Sequence, residues 1–264
     1  MNEAPSMQQA PSVSVITVVF NAAPHLKATL ESVRNQSYPH IQHVVVDGGS
    51  TDGTVDILRK FPHCEWTSEP DRGLYDAMNK GLRKATGEYV WFLNAGDRLY
   101  DEQTVEEVIL GLPSLPGDGR NPGWPDVVYG ATLIIDGEGK DVGGRRLKEP
   151  DRLTWRSFRE GMVVCHQSML VRRSLAPEYD TRYRIAADID WAIRATRSAR
   201  FIHHVPRILS RFMEGGLSGR NIRHSLGERF RIMTRYYGFV PTLFRHVLFG
   251  FRLTGFYLRH RRIS

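Results

Sequence analysis

Short apolar segments alternate along this chain with segments spaced like amphipathic helices, and this alternation restricts the fold more than any other feature. The run SVSVITVVF from Ser12 is rich in β-branched residues, as expected of a strand buried on both faces of a parallel sheet. Between it and the next apolar run, His43 to Gly48, the residues Leu26, Leu30 and Val33 recur at helical spacing. The order strand, helix, strand predicts a βαβ unit and a parallel sheet covered by helices.

The same alternation continues further along the chain. We predict strands over Glu65 to Ser68, Tyr89 to Asn94, Met162 to Val171 and Phe201 to Leu209, and helices over Val55 to Phe61 (capped by Ser50 or Thr51), Gly73 to Ala85 and from Ala187 onwards. We therefore expect a flexible N-terminus over residues 1–11. A single α/β domain over residues 12–219 would follow, with a mostly parallel central sheet flanked by helices and halves at about 12–100 and 126–219.

Polar residues stand where three apolar strands end: Asn21, the segment from Asp47 to Asp52, and the segment from Asn94 to Asp97. Such strand ends converge on one crevice in an open parallel sheet, and ligands bind there. An Asp or Asn after a strand also commonly forms a turn or caps a helix, because its side chain accepts bonds from nearby amides. Together the three segments predict a ligand site at this edge of the sheet.

Charge is distributed unevenly along the chain. Of 36 basic and 29 acidic residues, ten arginines and one acid, Glu228, follow Gly219, so this tail carries +9 and residues 1–219 carry −2.

The composition, 41% hydrophobic and 25% charged, is globular and excludes collagen-like and disordered chains. No apolar run reaches the length of a membrane-spanning helix, and the first residues lack the features of a secretory signal. Two distant cysteines argue against a disulfide framework or a zinc site, so we expect a cytoplasmic protein.

Five segments stand in a recognisable order and spacing between roughly Ser12 and Gly219: SVITVVFNAAPHLKATLESVRNQSY, VVVDGGSTDGT, EPDRGLYDAMNKGLRKATGEYVWFLNAGD, CHQSMLVRR and AADIDWAIR. They resemble the family 2 glycosyltransferases of the GT-A fold, especially bacterial members that build exopolysaccharide or cell-envelope glycans. The resemblance implies a Rossmann-like catalytic domain. It also implies an inverting enzyme that transfers a sugar from a nucleotide-diphosphate-sugar to a glycan acceptor, in particular a lipid-linked one.

The resemblance also implies the position of the nucleotide-sugar. Its first edge is expected at Thr17, Val18, Val19, Phe20 and Asn21. The Asp47 carboxylate would receive the base, and the Phe20 ring would cover it, although a core aromatic is an equally good interpretation of Phe20.

A second part of the donor site is implied around the third predicted helix. Asp71 would contact a sugar hydroxyl, and Arg72 would bind the diphosphate, for which a planar guanidinium is suited. Asn79, on the helix that follows, is placed near the donor as well. A helix N-cap is the alternative interpretation of Asp71.

The metal-binding motif of the family normally contains two or three acids, and here the segment reads Asn94-Ala95-Gly96-Asp97. Asp97 is the remaining acid and the predicted ligand of Mn²⁺ or Mg²⁺, hard cations that bind a few carboxylates together with phosphate oxygens. Asn94 would accept a bond from a metal-bound water or a sugar hydroxyl. Ala95 and Gly96 would lie against the donor.

Inverting transfer needs a base that removes the acceptor proton as the hydroxyl attacks the anomeric carbon. The base of the family is the Asp of a Glu-Asp pair at a helix start, and this register falls on Ala187-Asp188. Asp188 is therefore the predicted base and Asp190 the reserve candidate, with a helix cap as the alternative interpretation of either.

Two further segments are implied to face the donor or the acceptor. His166 and Gln167 would contact the acceptor or the diphosphate, although a satisfied buried histidine is at least as good an interpretation. Gly215 to Ser218 would form either a segment that closes over the donor or an ordinary turn.

Residues 220–264 are predicted to form a basic helical extension. Arg245, Arg252 and Arg259 are seven residues apart, which keeps them on one helical stripe that drifts about 20° per heptad. Such a helix can lie in a membrane interface, or it can pack on the catalytic domain with a solvated arginine face. We expect peripheral contact through residues 241–264 with the inner face of the bacterial plasma membrane. No nucleic-acid-binding motif accompanies the arginines, so we expect no nucleic-acid partner.

Two other functions fit the same sequence. A sugar nucleotidyltransferase also combines a nucleotide, a cation and an α/β sheet, and it would release pyrophosphate. A non-catalytic nucleotide-sugar-binding protein is suggested by Ala187 and by the missing acids of the metal motif. The donor base, the sugar and the linkage depend on loop shape, so the sequence leaves them open.

Overall fold

The structure is a computed structural model, and it describes residues 10–113, 123–216 and 221–248. Within these ranges the strands are β1 Val13–Val19, β2 Ile41–Asp47, β3 Cys64–Ser68, β4 Tyr89–Phe92, β5 Arg98–Leu99, β6 Val127–Ile135, β7 Asp141–Gly144, β8 Met169–Arg172 and β9 Ile202–Met213. The helices are α1 Ala23–Arg34, α2 Thr54–Leu58, α3 Leu74–Lys84, α4 Thr104–Leu110, α5 Ala187–Ser198 and α6 Ile222–Tyr237. Residues 239–248 are also helical.

One nine-stranded sheet runs in the order β3-β2-β1-β4-β8-β6-β9-β5, with β7 on β6. The first four strands are parallel, as the βαβ pattern predicted. From β4 onwards the sheet is mixed, because β8 lies antiparallel to both β4 and β6, while β9 is parallel to β6. The prediction of a mostly parallel sheet therefore holds for the N-terminal half, and the C-terminal half corrects it.

Two local predictions also needed correction. The strand expected over Met162 to Val171 is confined to β8, and a 3₁₀ turn over His166–Ser168 precedes it. Helix α2 begins after Gly53, whose φ of 93° starts the turn, and neither Ser50 nor Thr51 caps it. Instead, Oδ1 of Asp52 accepts a hydrogen bond from the Thr54 amide at 3.1 Å.

Aromatic side chains fill the core between the sheet and α5. Trp191 is fully buried and stacks on Tyr179 at a centroid distance of 5.3 Å, and Phe92 meets its ring edge-on at 5.5 Å. Ile232 of α6 belongs to the same buried cluster. Residues beyond the predicted boundary at Gly219 thus pack on the core of the domain.

None of the helices within the described residues has the length and apolar character needed to cross a membrane. The predicted flexible segment lies largely outside the described residues, which begin at Ala10, and so do Arg252, Arg259 and the rest of the tail beyond residue 248.

Candidate active site

A cleft of about 480 Å³ opens at the carboxyl ends of β1 and β4. It brings together many of the residues singled out in the sequence: Val18, Val19, Phe20, Asn94, Ala95, His166, Gln167, Asp188, Gly215 and Gly216. Both halves of the sheet contribute to it, since the first five of these precede residue 100 and the last five follow residue 160. The ends of β1 and β4 therefore meet at this cleft, whereas no residue of the third predicted segment, Asp47 to Asp52, lines it. Leu217 and Ser218 lie outside the described residues.

Phe20 forms one wall of the cleft, with 62% of its surface exposed. The interpretation as a core aromatic is therefore wrong, and the ring is available to cover a flat ligand. The neighbouring Asn21 has a φ of 45° and holds two loops together, because its amide donates to Ser50 Oγ at 2.8 Å and its Oδ1 accepts from the Thr51 amide at 2.9 Å. Asn21 therefore fixes the position of the Phe20 wall.

Thr17 and Asp47 are buried below the cleft and do not line it. Thr17 Oγ1 and His43 Nε2 share a hydrogen bond of 3.0 Å. Asp47 Oδ2 accepts bonds from the Gly49 and Ser50 amides at 3.2 and 3.0 Å, and from Ser68 Oγ at 2.6 Å. The expectation that the Asp47 carboxylate is free to receive a base is therefore wrong. Its oxygens accept hydrogen bonds that hold the loop after β2.

The loop before α3 brings Asp71 close to Gly48 and Phe20, although Asp71 does not itself line the cleft. A Cβ on Gly48 would lie 2.4 Å from Asp71 Oδ2 and 3.3 Å from the Phe20 ring, so glycine at position 48 makes room for this carboxylate beside Phe20. Asp71 Oδ1 accepts a bond from the Gly73 amide at 2.7 Å. Arg72 is exposed on the same loop and does not line the cleft, so the structure does not place it where the diphosphate contact was expected.

Asn79 corrects another expectation, because its side chain lies outside the cleft. It is 4% exposed, its Nδ2 donates to the Tyr179 carbonyl at 2.9 Å, and its Oδ1 accepts from the Tyr179 amide at 2.6 Å. These two hydrogen bonds occupy the side-chain amide of Asn79 with the backbone of Tyr179, in the segment that leads to α5. Asn79 therefore ties α3 to that backbone instead of contacting a ligand.

The segment from Asn94 to Asp97 divides into a cleft-facing part and a buried part. Asn94 and Ala95 line the cleft, and Asn94 Oδ1 is buried without a hydrogen-bond partner among the described residues. Gly96 has a φ of 103°, and a Cβ there would lie 2.4 Å from Met213 Cε, so a side chain at this position is excluded unless Met213 moves.

Asp97 lies below this surface and is 3% exposed. Gln167 Nε2 donates to its Oδ2 at 2.9 Å, and the Met213 amide donates to its Oδ1 at 3.0 Å. Burial raises the pKa of this carboxyl to about 7, against the lowering effect of those hydrogen bonds. Both oxygens are thus engaged inside the protein.

His166 faces the cleft from the 3₁₀ turn before β8, and both of its ring nitrogens lack hydrogen-bond partners among the described residues. Burial lowers its pKa to about 4, so the ring is neutral at pH 7. A buried polar ring left without partners can receive a ligand group. The interpretation of His166 as a satisfied core histidine is therefore wrong.

Asp188 and Asp190 have different surroundings in the first turn of α5. Asp188 is half-buried and lines the cleft, where its Oδ1 accepts a bond from the Ile189 amide at 2.9 Å. Asp190 is fully buried outside the cleft, bonded to Arg194 Nε and to the Tyr236 hydroxyl, each at 2.7 Å. The geometry thus favours Asp188 over Asp190 as a group that meets a ligand.

Sequence reasoning missed two arginines of the cleft, Arg145 and Arg229. Arg145 follows β7, and its Nη2 donates to the Met162 carbonyl at 2.7 Å. Arg229 comes from α6, and its Nε is buried without a partner among the described residues. The clustered arginines of the tail were the available signal, but we assigned them to a surface. The charged side chains that line the cleft are therefore the guanidinium groups of Arg145 and Arg229 and the carboxylates of Asp188 and Glu214.

Another group of possible metal ligands lies away from the cleft. Ligand atoms of His43, His63 and Cys64 lie within 4.8 Å of one another. Cys64 Sγ is 3.4 Å from His43 Nδ1 and 3.4 Å from His63 Nε2. Burial raises the pKa of this thiol to about 12, so at neutral pH it is protonated and hydrogen-bonded to the rings.

Comparison with known proteins identifies relatives of the whole domain. A family model described as glycosyl transferase family 2 matches residues 14–179. A PGL/p-HBAD biosynthesis glycosyltransferase of Mycobacterium bovis is 33% identical over 238 residues, which cover 86% of this chain and 86% of that protein.

Two groups of solved structures share the fold. S. aureus TarS 1-349 in complex with UDP-GlcNAc has a TM-score of 0.64 at 18% identity, covering 90% of this chain and 73% of that one. A mannosyltransferase from Pyrobaculum calidifontis in complex with GDP-Man and Mn²⁺ has a TM-score of 0.60 at 21% identity, covering 93% of this chain and 71% of that one. This chain spans only 40% of a longer TarS structure.

The pKa of His166 gives a testable pH dependence of stability. In the unfolded chain a histidine takes up a proton near pH 6.5, whereas His166 in the folded protein does so only near pH 4. Protonation thus favours the unfolded state between these values, and the contribution of the neutral ring is lost as pH falls from 6.5 towards 4. We expect the free energy of unfolding of the wild type to fall more steeply over this range than that of His166→Gln, measured by urea denaturation. Equal slopes for the two proteins would contradict this assignment.

Proposed function

Because the chain belongs to glycosyl transferase family 2, we propose that it transfers one sugar, with inversion at the anomeric carbon, from a nucleotide-diphosphate-sugar to a glycan acceptor. The observation that carries the proposal is the half-buried Asp188, which shares one cleft with Arg145, Arg229 and the exposed ring of Phe20. A base, cations for the leaving group and a flat wall for a nucleobase are the parts such a transfer needs.

We assign the nucleotide to the N-terminal wall of the cleft. The Phe20 ring would cover the base, and Asp71, which lies beside that ring, would accept a bond from a sugar hydroxyl. The TarS structure with UDP-GlcNAc and the mannosyltransferase structure with GDP-Man support a nucleotide-sugar as the ligand of this fold. Neither fixes the donor base or the sugar of this chain.

We assign the diphosphate to Arg145 and Arg229. Guanidinium groups make two charge-assisted hydrogen bonds to phosphate oxygens and keep their charge at any relevant pH. Negative charge develops on the diphosphate as the bond to the anomeric carbon breaks, so these cations would stabilise the transition state more than the ground state. Neutral His166 would donate or accept one further hydrogen bond near the same groups.

Asp188 would act as the base. Its carboxylate takes the proton of the acceptor hydroxyl while that oxygen attacks the anomeric carbon from the face opposite the diphosphate. A new glycosidic bond forms as the bond between the anomeric carbon and the diphosphate breaks, and the electron pair of the broken bond leaves with the diphosphate oxygen. The anomeric configuration is thereby inverted, and the proton remains on Asp188 until it is released to water.

A divalent cation stays a prediction for this chain, supported by the Mn²⁺ in the mannosyltransferase structure. Asp97, the ligand expected from the sequence, is 3% exposed and does not line the cleft, so in this structure it is not placed to bind a cation there. Asn94 does line the cleft, and its Oδ1 has no hydrogen-bond partner among the described residues, so this oxygen is the candidate ligand in the segment. A bound cation would balance the charge of the diphosphate, and donor turnover with and without EDTA and added Mn²⁺ tests whether one is required.

The acceptor is proposed to be a lipid-linked glycan of the cell envelope, handled at the inner face of the plasma membrane. Support comes from relatives named for PGL/p-HBAD biosynthesis and, over 33% of this chain, for teichuronic acid biosynthesis. The helix over residues 239–248 supports membrane contact, since its exposed face is apolar: Phe239, Val240, Leu243, Phe244, Val247 and Leu248 are each 40–74% exposed.

The opposite face of this helix is turned to the protein, where Thr242 is buried and Arg245 pairs with Glu160. An apolar face on a basic tail is suited to an anionic lipid surface, into which the apolar side chains insert while exposed arginines of the tail, such as Arg223 and Arg231, stay among headgroups.

Replacing Asp188 by Asn tests the proposed function. We expect release of nucleoside diphosphate from UDP-, GDP- or dTDP-sugars to fall by about 100-fold or more, because general bases contribute roughly that factor. Donor binding, followed by thermal shift, should persist. Asp190→Asn provides the comparison, since it removes a charge paired with Arg194 and should lower stability more than turnover. Near-normal turnover by folded Asp188→Asn would exclude Asp188 as the base.

Membrane contact is tested by co-sedimentation with phosphatidylcholine vesicles containing phosphatidylglycerol. Replacing both Val240 and Phe244 by Ser removes the two most exposed apolar side chains of the helix, so we expect most of the binding to be lost. Val142→Ser alters an apolar residue elsewhere that is 58% exposed and should bind like the wild type. Unchanged binding by the double variant would rule out insertion through this helix.

A further inference from the structure

Glu228 is a buried acid in a strongly basic segment. It is the single acidic residue after Gly219, and it is 4% exposed in the middle of α6. A buried carboxylate is costly unless it is fully hydrogen-bonded or paired. Its partners therefore indicate what it does.

Three consecutive backbone amides donate to this carboxylate. Glu228 Oε1 accepts from Arg184 N at 2.8 Å, and Oε2 accepts from Ile185 N and Ala186 N, each at 2.9 Å. Hydrogen bonds to an ionised acceptor are roughly twice as strong as neutral ones. The main chain of residues 184–186 is thus fixed by a side chain that comes from more than 40 residues further along the chain.

The fixed segment leads directly into the first turn of α5. Ala186 is the N-cap residue of that helix, and its side chain accepts no hydrogen bond from the amides of the first turn. Asp188 follows two residues later and lines the cleft. On the other side of the segment the Tyr75 hydroxyl donates to the Ile185 carbonyl at 2.8 Å. Glu228 and Tyr75 therefore hold the start of α5 from two directions.

We propose that Glu228 is the positioning residue for Asp188, holding the start of α5 so that the carboxylate of the base meets the acceptor hydroxyl. This rests on the proposed function of Asp188. Helix α6 is accordingly part of the active site and not a separate extension, which agrees with the entry of the next residue, Arg229, into the cleft. Small displacements of a reacting group lower the rate steeply, since proximity and orientation supply much of the acceleration.

The test is Glu228→Gln, which keeps the shape of the side chain but places an NH₂ group against backbone donors. We expect kcat for release of nucleoside diphosphate, with UDP-, GDP- and dTDP-sugars as probes and water as acceptor, to fall about 10- to 100-fold. Donor affinity should stay within about twofold, because the nucleotide wall is untouched. Ser225→Ala, a buried change one turn earlier on α6, is the matched control and should leave kcat unchanged.

A double-mutant cycle separates positioning from a general loss of structure. In an Asp188→Asn background, Glu228→Gln should cause no further loss of the residual turnover, because the group it positions is gone. A purely structural role predicts the same fold-loss in both backgrounds, and that result would overturn the proposal.

Two further variants keep the outcomes distinct. If Glu228→Gln does not fold, Glu228→Asp keeps the charge but draws the carboxylate back from the three amides and should also lower kcat, and normal kcat would then overturn the proposal. If Asp188→Asn is inactive while folded Glu228→Gln turns over normally, only the role of Glu228 fails. If Asp188→Asn is itself active, the proposed base fails.

Discussion

The antiparallel pairing of β4 with β8 is the constraint on which the cleft depends. Tyr89 pairs with Arg172 and Trp91 with Leu170, so this ladder joins the parallel half of the sheet to the mixed half. Trp91 Nε1 also donates to the Gln167 carbonyl at 2.7 Å, which fixes the turn before β8 beside the end of β4. Residues that are 70 positions apart in the sequence thereby face one another, as Gln167 and Asp97 do.

A second constraint is the satisfaction of buried carboxylates by the protein itself. Asp47 accepts bonds from loop amides, Asp97 from Met213 N and Gln167, and Glu228 from the backbone before α5. Each of these acids is buried and hydrogen-bonded within the protein, and none of them lines the cleft. Asp188 is the acid of α5 that faces the cleft.

The extent of successful prediction follows from which interactions are local. The strands β1, β2 and β4 and the helices α1, α3 and α5 were predicted because hydrophobic periodicity is written in consecutive residues. From the topology of a parallel sheet we also predicted that polar strand ends would converge, and the ends of β1 and β4 do meet at the cleft. The sequence could not show that Asn79 is used by the Tyr179 backbone, nor that Arg229 enters the cleft, because such contacts bridge distant parts of the chain. Polar residues near a strand end look alike until their partners are known.

The proposed function requires that this one cleft bind the diphosphate of the donor through the guanidinium groups of Arg145, which follows β7, and Arg229 of α6. Calorimetric titration of the wild type, Arg229→Gln and Arg223→Gln with UDP, GDP and dTDP tests it most directly. Arg223 lies on the same helix and is exposed outside the cleft, so its variant is the control. We expect Arg229→Gln to bind the preferred diphosphate about 10- to 100-fold more weakly, because a charged hydrogen bond is lost. Equal affinity of all three proteins would contradict it.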